Sequence, residues 1–102
     1  MFHIKAEPTF DACLTIVGQG REQKLNVTFR HKTRTEYSDM LEEMAEGKME
    51  VADALLALLD KWDADADLNR ENIVALQEHQ PGVDWAIITA YGEALKVARK
   101  GN

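Results

Sequence analysis

Cysteine occurs once in this chain, at Cys13, so no disulfide can form within it and the fold must be held by packing and hydrogen bonds. Cys13 itself is expected to fill space in a strand rather than to act as a reactive thiol. No apolar run approaches the ~20 residues needed to cross a bilayer, and no charged-then-apolar leader opens the sequence. The expectation is a protein neither secreted nor membrane-spanning. Gly-rich phosphate loops, G-x-S-x-G elbows and Cys or His pairs at metal-binding spacing are all missing. His3, His31 and His79 fall in three separate segments. These absences argue against an enzyme, a cofactor and a metal centre. Proline is confined to Pro8 and Pro81, and no Pro-rich or low-complexity linker divides the chain. One domain over residues 1–102 is expected, with one core.

Positive charge is scarce where it would matter for nucleic acid. The formal net charge is −6, and between Glu36 and Asp67 the only bases are Lys48 and Lys61 amid many carboxylates. This acidic belt repels a phosphate backbone and leaves only Arg30, Lys32 and Arg34 as a basic patch.

What is present is periodicity. "TFDACLTIV" alternates, with Phe10, Ala12, Leu14 and Ile16 on one face and Asp11, Cys13 and Thr15 on the other. "LNVTFRHK" alternates again, directing Leu25, Val27 and Phe29 inward. The seven residues "GQGREQK" between them read as a polar turn, and the whole as a β-hairpin over residues 1–34. A lone hairpin is only marginally stable, so helices or a second subunit must cover its apolar face. Residues 35–102 read as about four helices. Thr33 and Glu36 have capping-box spacing, followed by Tyr37, Met40, Leu41 and Met44 on one stripe, and Gly47 ends that helix. "KMEVADALLALLDKW" gives a second helix with Ala52, Leu55, Leu56, Leu59 and Trp62 on its apolar side. Asn69, with Leu68 and Ile73 as a hydrophobic staple, starts a third in "RENIVALQEH". The fourth follows Pro81-Gly82, carries Trp85, Ile88, Tyr91 and Leu95, and runs to about Lys100, where basic residues and an αL Gly101 suit a helix C-terminus. The fold class is therefore α+β, an N-terminal hairpin packed on about four helices.

Two motifs invite chemistry. "DADADLNRENIV" places Asp63, Asp65 and Asp67 at the first alternate positions of a calcium loop, but Leu68 stands where the turn glycine belongs and Val74 where the closing glutamate belongs. A solvated acidic loop is the better reading. The segment from "RENIVALQEH" through Pro-Gly into the last helix has the outline of a helix-turn-helix, the basis of an alternative function as a small nucleic-acid-binding regulator. Against it, the second helix opens with Val83, Asp84 and Trp85 and has no base before Lys96.

Read in order, "EPTFDACLTI", "LNVTFRHKTR", "LLALLDKWD", "LNRENIVALQEHQPG", "WAIITAYGEAL" and "ARKGN" resemble the tail assembly chaperones of long-tailed bacteriophages and prophages. The resemblance spans nearly the whole chain and rests on structural marks rather than a catalytic motif. It implies a non-enzymatic assembly factor of the host bacterial cytoplasm, absent from the mature virion. It also implies that the factor binds the tape measure protein, keeps it soluble and helps recruit major tail tube protein subunits. Homo-oligomerisation is expected on separate grounds, from the open edges of the hairpin and the number of apolar helix faces. Trp85, Ile88, Tyr91 and Leu95 are candidates for partner binding, with core packing as the favoured role for the same stripe. Such chaperones commonly come in two lengths through a −1 ribosomal slip. Lys100-Gly101-Asn102 can be encoded on a slippery heptamer, so a frameshifted longer form contacting the tube protein is a further expectation.

Overall fold

The computed structural model describes residues 1–98. Strands β1 (Thr9–Gly18) and β2 (Arg21–Arg30) form the hairpin, with Phe10 opposite Phe29, Ala12 opposite Val27 and Leu14 opposite Leu25. The expected faces are the observed ones: Val27 and Phe29 are buried, and Phe10, Ala12, Leu14, Ile16 and Leu25 pack against the core. The turn is shorter than the sequence indicated. Only Gln19 and Gly20 lie outside the strands, at φ of 55° and 76°. Two successive left-handed residues make a type I′ turn, whose twist matches that of paired strands, so the polar residues from Arg21 to Lys24 are drawn into the ladder.

Helix α1 (Arg34–Ala45) begins with the expected capping box: Glu36 N–H donates to Thr33 Oγ1 and Thr33 N–H donates to Glu36 Oε1. Gly47, at φ 75°, ends it as expected. Its N–H reaches the carbonyl of Met44 and that of Lys48 reaches Glu43, the paired bonds of a Schellman cap. Helix α2 (Val51–Leu58) buries Ala52, Ala54, Leu55 and Leu58.

The second helix stops well short of its sequence pattern. Leu59 takes extended dihedrals, and Leu59–Trp62 forms a third strand, β3, antiparallel to β2, giving the order β1-β2-β3. Leu59 pairs with Phe29 and Trp62 with Val27, across a register shift between Thr28 and Phe29. Leucine-rich sequence favours a helix, but β2 offers unpaired backbone groups beside a buried face, and pairing them decides the local structure. Leu59 and Trp62 therefore reach the core from a strand and not from a helical stripe. One hairpin edge expected to be open is in part covered.

Helix α3 (Arg70–His79) starts at Asn69, whose side chain accepts from Asn72 N–H at 2.8 Å, and buries Ile73. Helix α4 (Val83–Leu95) starts after Gly82 at φ 95°, which places Pro81 just outside it. It ends at Leu95 rather than near Lys100. Lys96 is already extended, because the buried line of Val83, Ile87, Ile88 and Tyr91 is complete and the next apolar residue, Val97, has no core to enter. The expected αL cap at Gly101 lies outside the described residues. Phe29 and Tyr91 meet edge to face at 5.0 Å at the centre of the core, with Phe10 and Tyr37 packed on the Tyr91 ring.

Candidate partner-binding surface

The four candidates on α4 do not share one environment. Ile88 is 2% exposed and Tyr91 fully buried, Leu95 is half-buried against the core, and Trp85 is 48% exposed. Three residues along a helix turn back by roughly 60° from a full circle, which carries Trp85 off the buried line and onto the outer flank. Core packing thus takes Ile88 and Tyr91, and leaves the largest side chain of the stripe facing solvent. The start of α4 is fixed by Asp84, which accepts from Trp85 N–H at 2.8 Å and from Gln77 Nε2 of α3 at 2.9 Å. The indole is therefore presented from a braced helix end.

Other large apolar side chains stand in solvent as well. Met1, Phe2 and Ile4 precede the sheet without touching the core, and Val17 lies near the hairpin tip. No helical stripe flags these residues in sequence, although Val17 falls within the alternating β1 segment and Phe2 and Ile4 alternate with His3 and Lys5.

The outer face of the sheet is polar. Thr28 Oγ1 donates to Asp11 at 2.8 Å and Lys24 Nζ to Thr15 at 2.6 Å, with Cys13 exposed between them rather than filling the interior. The acidic loop after β3 is partly structural. Asp63 accepts from the backbone N–H and the side-chain amide of Asn26, which holds its carboxyl below the usual carboxylate range, and Trp62 Nε1 donates to Ala66. Arg70 ties α3 to α2 by donating to both Asp53 and Glu50. Among the described residues no three His, Cys, Asp or Glu side chains converge as a metal-binding set. None of the described helices is long and apolar enough to cross a membrane.

Trp85 on α4 is 48% exposed, and Met1, Phe2, Ile4 and Val17 are exposed elsewhere on the chain. Neither a curated protein nor a solved structure matches the chain. A protein family does, described as phage tail assembly chaperone, over residues 1–102. The chain belongs to the phage tail assembly chaperone family.

Proposed function

We propose that this protein binds the tape measure protein during tail morphogenesis, keeps it soluble, and helps recruit major tail tube subunits around it. The observation that carries this reading is the family match along the entire chain. The physics supports it. A long helical protein with apolar stretches aggregates unless those stretches are covered, and exposed aromatic side chains on a stable scaffold provide such cover. The acidic belt from Glu36 to Asp67 keeps the coated complex soluble and away from nucleic acid. Trp85 is the contact residue on α4, with Ile88, Tyr91 and Leu95 as the packed base that holds it in place. The protein acts in the host cytoplasm without catalysis, as a self-associating chain that is left out of the finished virion.

Co-expression with the tape measure protein of the same phage tests this. The tape measure protein should move from the pellet to the soluble fraction and co-purify with the chaperone. A tape measure protein equally soluble or equally aggregated with and without the chaperone would overturn the proposal.

A further inference from the structure

The sheet is three strands wide at one end and two at the other. Asn26 turns both backbone groups away from β1: its N–H donates to Asp63 Oδ1 at 2.8 Å and its carbonyl accepts from Asp63 N–H at 3.0 Å. Alternation along an antiparallel strand then turns the N–H and C=O of Lys24 and Glu22 to the same side. The register agrees, since Gly18 and Arg21 close a two-residue turn and Glu22 and Lys24 fall on the non-hydrogen-bonded pairs with Val17 and Thr15. β3 pairs β2 only from Val27 to Phe29, and the chain leaves the ladder after Asp63. Among the described residues, no hydrogen bond reaches those four backbone groups from the β3 side. Beside them lies a recess of about 400 Å³ lined by the apolar Ile16, Leu25, Leu76 and Val83, with the charges of Asp63 and Asp65 offset by those of Arg21 and Lys24.

We propose that this gap is a strand-addition site filled by residues Phe2–Lys5 of a second copy of the chain, with Ile4 seated in the recess. The inference specifies a contact for the self-association put forward above and rests on that reading. The segment fits in two ways. It alternates apolar and polar, so a strand that points Ile4 toward the helices points His3 and Lys5 to the outer face. Phe2 and Ile4 are 88% and 92% exposed in the single chain.

The segment of the same chain cannot serve. Pro8 is fixed at the far end of the hairpin, where its carbonyl accepts from His31 N–H at 2.9 Å. From His31 back to Lys24 the strand covers about 23 Å, whereas the four steps along the chain from Pro8 to Ile4 reach at most about 14 Å. Ile4 therefore finds this recess only on another molecule. Main-chain pairing supplies the attraction and the recess supplies the selection, the arrangement common to strand addition at sheet edges.

The test is amide hydrogen exchange on the full chain across a concentration series, with mass followed by ultracentrifugation. Where the chain associates, the Glu22 and Lys24 amides should slow by at least about tenfold relative to dilute protein, and Ile4→Asp should abolish both the slowing and the association. Ile4→Asp alters an exposed residue, so its circular dichroism should match the wild type. Lys24→Pro, which removes one outward N–H at a position an edge strand tolerates, should weaken association likewise. If Lys24→Pro does not fold, the Ile4→Asp comparison decides alone. Association without slowing at these two amides overturns this site but leaves self-association standing. Slowing that ignores concentration, or that survives Ile4→Asp, also overturns it. A chain that stays monomeric at every concentration overturns both readings.

Discussion

The hydroxyl of Tyr91 on α4 donates a 2.9 Å hydrogen bond to the carbonyl of Arg30 at the last residue of β2. The ring is fully buried, so this bond anchors the centre of the last helix to the end of the sheet. Removing the hydroxyl leaves a carbonyl short of a partner beneath an otherwise unchanged ring. Tyr91→Phe should cost about 1 kcal/mol in denaturant unfolding at neutral pH. An unchanged midpoint would show the bond to be idle. Burial also pushes the Tyr91 phenol up to about 12 from its ordinary 10.0. A raised pKa means stability that is full below pH 10 and is lost as pH rises through about 12. The wild type should therefore weaken in that alkaline window, and Tyr91→Phe should weaken less steeply.

Gly92 sits in the middle of α4 because of Tyr37. A Cβ built at residue 92 would stand 2.8 Å from the Tyr37 hydroxyl but 3.5 Å from the ring carbon that bears it. Alanine in a helix interior is favoured over glycine by about 1 kcal/mol, so the close contact works against an intrinsic gain. Gly92→Ala should stabilise the Tyr37→Phe chain by about 0.5–1 kcal/mol and the wild type by clearly less, or not at all. Equal effects in the two backgrounds, measured by thermal unfolding, would refute the steric account.

Trp85 and Ile88 lie three residues apart and should behave oppositely. A buried Trp85 would cost about 3–5 kcal/mol on truncation to alanine, but at 48% exposure the loss should stay below about 1 kcal/mol. Ile88→Ala empties a site that is 2% exposed and should cost about 2–5 kcal/mol. In the co-expression assay Trp85→Ala should lower tape measure solubility while the chaperone still melts normally. A large melting shift for Trp85→Ala would return it to the core.

Asp63 holds the end of β3 to β2 through Asn26. Its pKa is depressed by these hydrogen bonds, so the stability they contribute is present above the ordinary value of 3.8 and is lost as pH falls below it. Asp63→Ala should speed exchange at the Asn26 amide at neutral pH and reduce the loss of protection on acidification. Unaltered Asn26 exchange would mean the strand end is held by other contacts.

The sequence by itself determined the elements whose signals are local. Alternation from Phe10 to Ile16 and from Leu25 to Phe29 specified two strands and their inner faces, because side chains along a strand change sides at every residue. Thr33 with Glu36, Gly47 and Asn69 marked helix ends through bonds spanning only a few residues. The chain-long pattern of such marks also carried the family. Only tertiary structure decided the remainder. "LLALLDKW" has a helical pattern, and what turns Leu59–Trp62 into a strand is the unpaired edge of β2, far away in sequence. The tight turn at Gln19-Gly20 depends on strand pairing that continues past the apolar residues. Trp85, Ile88 and Tyr91 follow one another at i, i+3 spacing and so read as one apolar stripe, although Trp85 and Tyr91 stand about 120° apart around the helix. How wide an arc of α4 the core covers is set by the elements packed against it, and a helical period does not encode those neighbours.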